Sequence, residues 1–102
     1  MVERYYNEAG EVGILYSPGY GAGWSTWGCA DMAVDARLVS AFDNRDLKLL
    51  EQLAEELYPN EYLGGMEDLE VKWLEKGTKF RISEYDGFEA IVELDMADFM
   101  EA

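Results

Sequence analysis

The side chains in this 102-residue chain that could do chemistry are the hydroxyls of its serines and threonines, one thiol and 22 carboxylates; there is no histidine. Without imidazole no histidine-activated nucleophile and no Cys/His metal site can be assembled. Cys29 has no basic neighbour in the adjoining sequence to lower its pKa, so it reads as a small buried thiol, and as the single cysteine it has no internal disulfide partner. Asp31 with Asp35, and Asp95 with Asp98 and Glu101, are spaced to share a helix face, the minimum for carboxylate hydrolysis or for holding a hard cation. Among 22 acids such pairs arise by chance, and the calcium-loop pattern of alternating acids around a glycine is absent. The expectation is therefore a protein that is not an enzyme and takes no cofactor, with a metal-dependent carboxylate hydrolase as the catalytic alternative.

The distinctive stretch runs from Tyr16 to Gly28, thirteen residues with four glycines, one proline and four large aromatics. It is not a P-loop, because no Gly-Lys-Ser or Gly-Lys-Thr follows. Nor is it a dinucleotide fingerprint, since Trp24 stands where the spacing from Gly19 and Gly21 calls for glycine. Backbone N–H groups around Gly19, Gly21 and Gly23 can form an anion-holding nest, with Ser17, Ser25 and Thr26 as hydroxyl donors and Tyr20, Trp24 and Trp27 as flat apolar faces. These nine residues are the candidate contact surface. The competing reading is a long connection pinned to its own domain by buried tryptophans.

A second candidate is a basic island. Lys72, Lys76, Lys79 and Arg81 are half of the eight positive charges, gathered within ten residues. If the strands flanking Lys76-Gly77 pair through a two-residue turn, Lys72 lies opposite Arg81, and two cations side by side invite an anion. The alternative is a solvated face neutralised by Glu70, Glu89 and Glu93.

The elements that must position these residues read as follows. Val2–Tyr6 and Glu11–Tyr16 are β-rich runs around Asn7-Glu8-Ala9-Gly10, a hairpin with Gly10 in the left-handed position, Asn7 paired with Glu11, and Tyr6 facing Val12. Residues 33–42 have helical spacing. A second helix, capped by Asp43 or Asn44 and carrying the stripe Leu47, Leu50, Leu53, Ala54 and Leu57, ends at Tyr58-Pro59-Asn60. Leu69–Trp73, Lys79–Ser83 and Phe88–Leu94 read as a β-meander, with Trp73 opposite Phe80 and Val71 opposite Ile82. For the second turn, a two-residue Asp86-Gly87 loop would set Glu84 opposite Glu89, an unfavourable pair of like charges. A three-residue Tyr85-Asp86-Gly87 loop with a bulge avoids this, and its core face is Val71, Trp73, Phe80, Ile82, Ala90 and Val92. The acidic tail from Asp95 to Ala102 reads as a last helical turn or a short edge strand. The expected fold is α+β, a single domain over residues 1–102. Its antiparallel sheet of five or six strands, N-terminal hairpin plus C-terminal meander, carries an αα-hairpin on one face.

A formal charge of -14 opposes binding to free nucleic acid and favours encounter with a basic protein surface. No signal-peptide pattern and no apolar run near 18 residues is present, so a cytoplasmic protein without a membrane partner is expected.

The chain resembles a group of small uncharacterised proteins of tailed phages and prophages. The likeness rests on the segment Tyr16 to Trp27, and on Asp68-Leu69-Glu70-Val71 followed by Phe80-Arg81-Ile82-Ser83-Glu84-Tyr85-Asp86-Gly87. The resemblance carries no catalytic residue across. It implies a setting, that of small acidic accessory proteins that counter host defences. The expected function is thus a phage-type inhibitor that docks on a host protein through the Gly/aromatic loop, in the host cytoplasm. The alternative is a sponge that sequesters a nucleotide-like signal through the loop with Lys72 and Arg81. A homo-oligomer is compatible with either, and for the sponge the loop and the basic island could meet across a subunit boundary.

Overall fold

The structure, a computed structural model, describes residues 2–21, 23–94 and 100–102, with the side chain of Leu94 left aside. It is an α+β fold with five antiparallel strands in two sheets and a helical pair on one face. The strands are β1 (Val12–Tyr16), β2 (Glu70–Leu74), β3 (Lys79–Tyr85), β4 (Phe88–Leu94) and β5 (Met100–Glu101); the helices are α1 (Ala36–Asp43) and α2 (Leu47–Leu57). β1 pairs with β2, and β3 lies between β4 and β5.

β1 explains the layering. Val12, Gly13, Ile14 and Leu15 are all buried, so this strand is covered on both faces, as a continuous apolar run demands. Leu15 joins Leu38, Val39, Leu50 and Ala54 of the helices in one core, while Val12 and Ile14 join Leu74 and Phe80 in another, with Ile82 and Ile91 packed against it. The β1–β2 sheet is therefore the middle layer. Gly13 allows the helical layer to close down, because a Cβ there would lie 2.7 Å from Val39 and 2.9 Å from Trp73.

The N-terminal hairpin forms as a single bridge, Tyr6 to Val12, rather than as a full strand. Its turn follows the expectation. Gly10 has φ +80°, and the Asn7 N–H donates to the Glu11 carbonyl at 3.0 Å. The first helix starts later than its spacing suggests. Ala30–Ala33 makes a 3₁₀ turn and Asp35 caps α1 by accepting from the Arg37 N–H. For α2 the cap is Asp46, which accepts from the Leu49 N–H, not Asp43 or Asn44.

Two expectations about the C-terminal strands are corrected. β2 and β3 do not pair: Trp73 lies opposite Gly13 and Val71 opposite Leu15, while Phe80 lies opposite Glu93 and Met100. The chain does turn at Lys76-Gly77, with Gly77 at φ +89° and the Thr78 N–H donating to the Glu75 carbonyl, but the turn passes from one layer to the next. Trp73 faces the helices beside Tyr5, whereas Phe80 packs on the other side of the middle sheet. The edge of β3 expected to take β2 takes β5 instead. Of the two readings of the tail, helical turn or short edge strand, a strand is present at Met100–Glu101, while Asp95–Phe99 lie outside the described residues.

The second correction concerns the β3–β4 turn. Asp86 and Gly87 have φ +52° and +84°, the type I′ signature of a two-residue loop, and Glu84 does lie opposite Glu89. In this register Phe80, Ile82, Ile91 and Glu89 share the core-facing side. Ala90 and Val92, expected in the core, are on the outer side with Tyr85 and Phe88.

Candidate functional site

The register that sets Glu84 opposite Glu89 is tolerated because the Glu89 charge is met from elsewhere. Glu89 is fully buried where β4 passes under the 17–28 segment. Its carboxylate accepts from the Ser17 N–H at 2.9 Å, the Trp24 N–H at 2.9 Å, the Thr26 N–H at 3.0 Å and the Thr26 hydroxyl. Among the described residues no Lys or Arg forms an ion pair with it. The loop is thus an anion nest, and the anion is the protein's own side chain. A buried carboxylate without such donors is strongly unfavourable, while hydrogen bonds to a charged group are each worth about 1.5–3 kcal/mol.

The remaining contacts make the segment an ordered part of the fold. The Glu89 N–H donates to the Ser17 carbonyl at 2.8 Å, so β4 is stitched to the end of β1. The Gly21 N–H donates to the Asp86 carbonyl at 2.6 Å, tying the loop to the β3–β4 turn. Trp24 is fully buried in the helix-side core, and its indole N–H donates to the Met32 carbonyl at 3.0 Å. Trp24 therefore anchors the loop from within and presents no face to a partner. Ser17 is also buried, its hydroxyl without a hydrogen-bond partner among the described residues. Gly19 lies against the Asp68 carboxylate and Gly23 against the Trp27 ring, positions where a Cβ would collide.

Two aromatics of the loop remain outside. Tyr20 is 71 % exposed, its ring centroid 5.0 Å from that of Phe88. Phe88 is the cross-strand partner of Tyr85, which is 75 % exposed. Tyr20 and Phe88 thus meet at the tip where loop and β3–β4 turn are joined, with Tyr85 across the strands from Phe88, Asp68 against Gly19, and Glu84 and Asp86 at the turn. Trp27, 42 % exposed, stacks edge-on to Tyr62 at 5.4 Å.

The basic island does not assemble. Lys72 lies opposite Ile14 and reaches Glu93 at 3.8 Å, Lys79 pairs with Glu101 at 2.7 Å, and the Lys76 ammonium sits 5.8 Å from the centroid of the Tyr6 ring. Arg81, opposite Val92 and exposed, is the one member that meets the loop. With Ser25, Thr26 and Phe80 it lines a cavity of about 230 Å³. Thr26 brings little to an anion there, since both its N–H and its hydroxyl are donated to Glu89.

Glu89, Tyr85 and Phe88 are the residues that sequence reasoning missed. The signal for the first was the like-charge pair itself, an acid at a core-facing strand position that needs donors from elsewhere. For the others it was the Asp-Gly turn, which fixes the register and with it the outer face.

Among the described residues no group of three or more Cys, Asp or Glu is placed to hold a metal ion, and no helix is long and apolar enough to cross a membrane. No protein-family model, no curated protein and no solved structure matches the chain.

Proposed function

We propose that this chain is a non-catalytic acidic docking protein whose contact surface is the tip formed by the 17–28 loop and the β3–β4 turn. In keeping with its resemblance to small proteins of tailed phages, it acts as an inhibitor that caps a host defence protein in the host cytoplasm. The observation that carries the reading is the division of labour within the loop. Three of its backbone donors are given to Glu89 and another, at Gly21, to the Asp86 carbonyl, while Tyr20 is held outside against Phe88, with Tyr85 across the strands from it. Rigid, exposed aromatics on an ordered scaffold are what interface anchors are made of, at low entropic cost. The outer face of β3–β4 continues the patch, since Phe88, Ala90 and Val92 are only partly buried there. The acids at the tip and the net charge of -14 select a basic partner surface and speed encounter with it.

The competing reading, capture of a nucleotide-like ligand, is favoured by the Arg81 cavity alone. Native mass spectrometry of the protein purified from infected or defended cells separates the two. Docking predicts a co-purifying protein that is lost in Tyr20→Ala/Tyr85→Ala and kept in Arg81→Glu. A co-purifying small molecule that is lost in Arg81→Glu would replace docking with sequestration.

A further inference from the structure

Helix α2 carries more apolar surface than its own core uses. Leu50 and Ala54 are buried, but Leu47 is 57 % exposed and Leu49 40 % exposed, although Leu47 belongs to the stripe that spacing assigns to the core. Leu47 stands between two hollows, lining both. One, of about 430 Å³, reaches Phe42 and Val71 at the α1–α2 corner; the other, of about 160 Å³, reaches Leu50 and Met66. The corner is firmly built, since Arg45 adopts φ +59° with its N–H donated to the Phe42 carbonyl, and Asp46 caps the next helix. A ridge with a hollow on each side suits a helix that lays successive apolar side chains into the two depressions.

Charge chooses the occupant. The two hollows carry Asp43, Glu51 and Glu67 against Arg45. A second copy of this chain would bring those same carboxylates against one another across a two-fold axis, between molecules of net charge -14. An amphipathic helix with basic flanks meets the rim with opposite charge. We infer that the Leu47 groove is a second docking site, distinct from the loop–turn tip, for an amphipathic helix with basic flanks supplied by another protein.

The probe is a synthetic helical peptide with leucines three and four residues apart on one face and lysines on the other, followed by fluorescence anisotropy. It should bind the wild-type protein, and Leu47→Ser should lower its affinity about tenfold or more, with circular dichroism unchanged because that side chain is more than half exposed, whereas Leu49→Ser, on another face of α2, should leave the binding intact. Tyr20→Ala should leave this binding intact. Equal binding of a peptide of the same composition with its leucines scrambled would reduce the effect to bulk charge and overturn the assignment. So would undiminished binding to Leu47→Ser. A dimer found by sedimentation of the protein alone, and dissolved by Leu47→Ser, would give the groove to a second copy instead.

Discussion

Two buried carboxylates are handled by opposite means, and each makes a prediction. Glu89 is neutralised by backbone donors of a loop remote in sequence. Glu89→Ala strands the buried N–H groups of Ser17 and Trp24 and frees the two part-exposed donors of Thr26, and should lower stability by about 3 kcal/mol, the scale of two unsatisfied buried donors. Because the hole left behind is lined by those donors, acetate should restore part of the lost denaturation midpoint in Glu89→Ala, with no comparable gain in wild type. An equal response in both would mean that the cradle holds no anion of its own. Asp35 is neutralised locally: it accepts from the Arg37 N–H and guanidinium and from the Tyr58 hydroxyl at 2.7 Å. Burial pushes its carboxyl up, but the hydrogen bonds from Arg37 and Tyr58 outweigh that and hold it below its ordinary value of 3.8. A depressed carboxylate stabilises the fold above its unfolded pKa and loses that contribution as pH falls through the folded pKa. Asp35→Asn should therefore be destabilised at neutral pH, by about 2–4 kcal/mol for a cap plus charge-assisted bonds. The deficit should shrink as the wild type is acidified below about pH 4, as thermal melts over a pH series will show.

At the scale of the elements, the β3–β4 turn does more than join two strands, because the Asp86 carbonyl also holds the Gly21 N–H. Gly87→Ala forces a side chain into φ +84° and should cost about 1–2 kcal/mol. The local consequence separates this turn from an ordinary hairpin end: hydrogen exchange at the Gly21 amide should accelerate along with that of the turn. Unchanged protection at Gly21 would show that loop and turn are not coupled. The Asp86-Gly87 pair was legible in the sequence as a two-residue turn. The repulsion between like charges that argues for a bulged loop instead holds when both are solvated, and Glu89 is buried. The helical pair is legible too, in its stripe and in its stop at Tyr58-Pro59, while the α2 cap is not: the sequence points to Asp43 or Asn44, and only the backbone path gives that place to Asp46.

For the whole molecule, the loop is at once core and surface, and substitution should separate the two roles. Trp24→Ala removes a fully buried indole and its bond to Met32, and should cost about 3–5 kcal/mol in a denaturant titration. Tyr20→Ala removes a largely exposed ring and should leave the midpoint within about 0.5 kcal/mol of wild type. If both variants melt alike, the loop has no division between anchor and contact face. The basic island failed at this scale. Its spacing of charges is real, but it reads as one patch only if β2 and β3 are neighbours, and the middle sheet separates their core faces.

The sequence by itself determined what is settled within a few residues: the Gly10 turn, the α2 stripe, the strand runs, the acidic balance, and a glycine-aromatic segment with the makings of a nest. Tertiary structure alone decided what fills that nest and which strands meet. The physical reason lies in β1. Val12, Gly13, Ile14 and Leu15 need cover on both faces, so β2 is drawn to the side of β1 and the β3–β4–β5 sheet beneath it, against the pairing that a short turn would otherwise favour. That layering brings β4 under the loop and puts Glu89 within reach of Ser17, Trp24 and Thr26, a contact across more than sixty residues that no local pattern encodes.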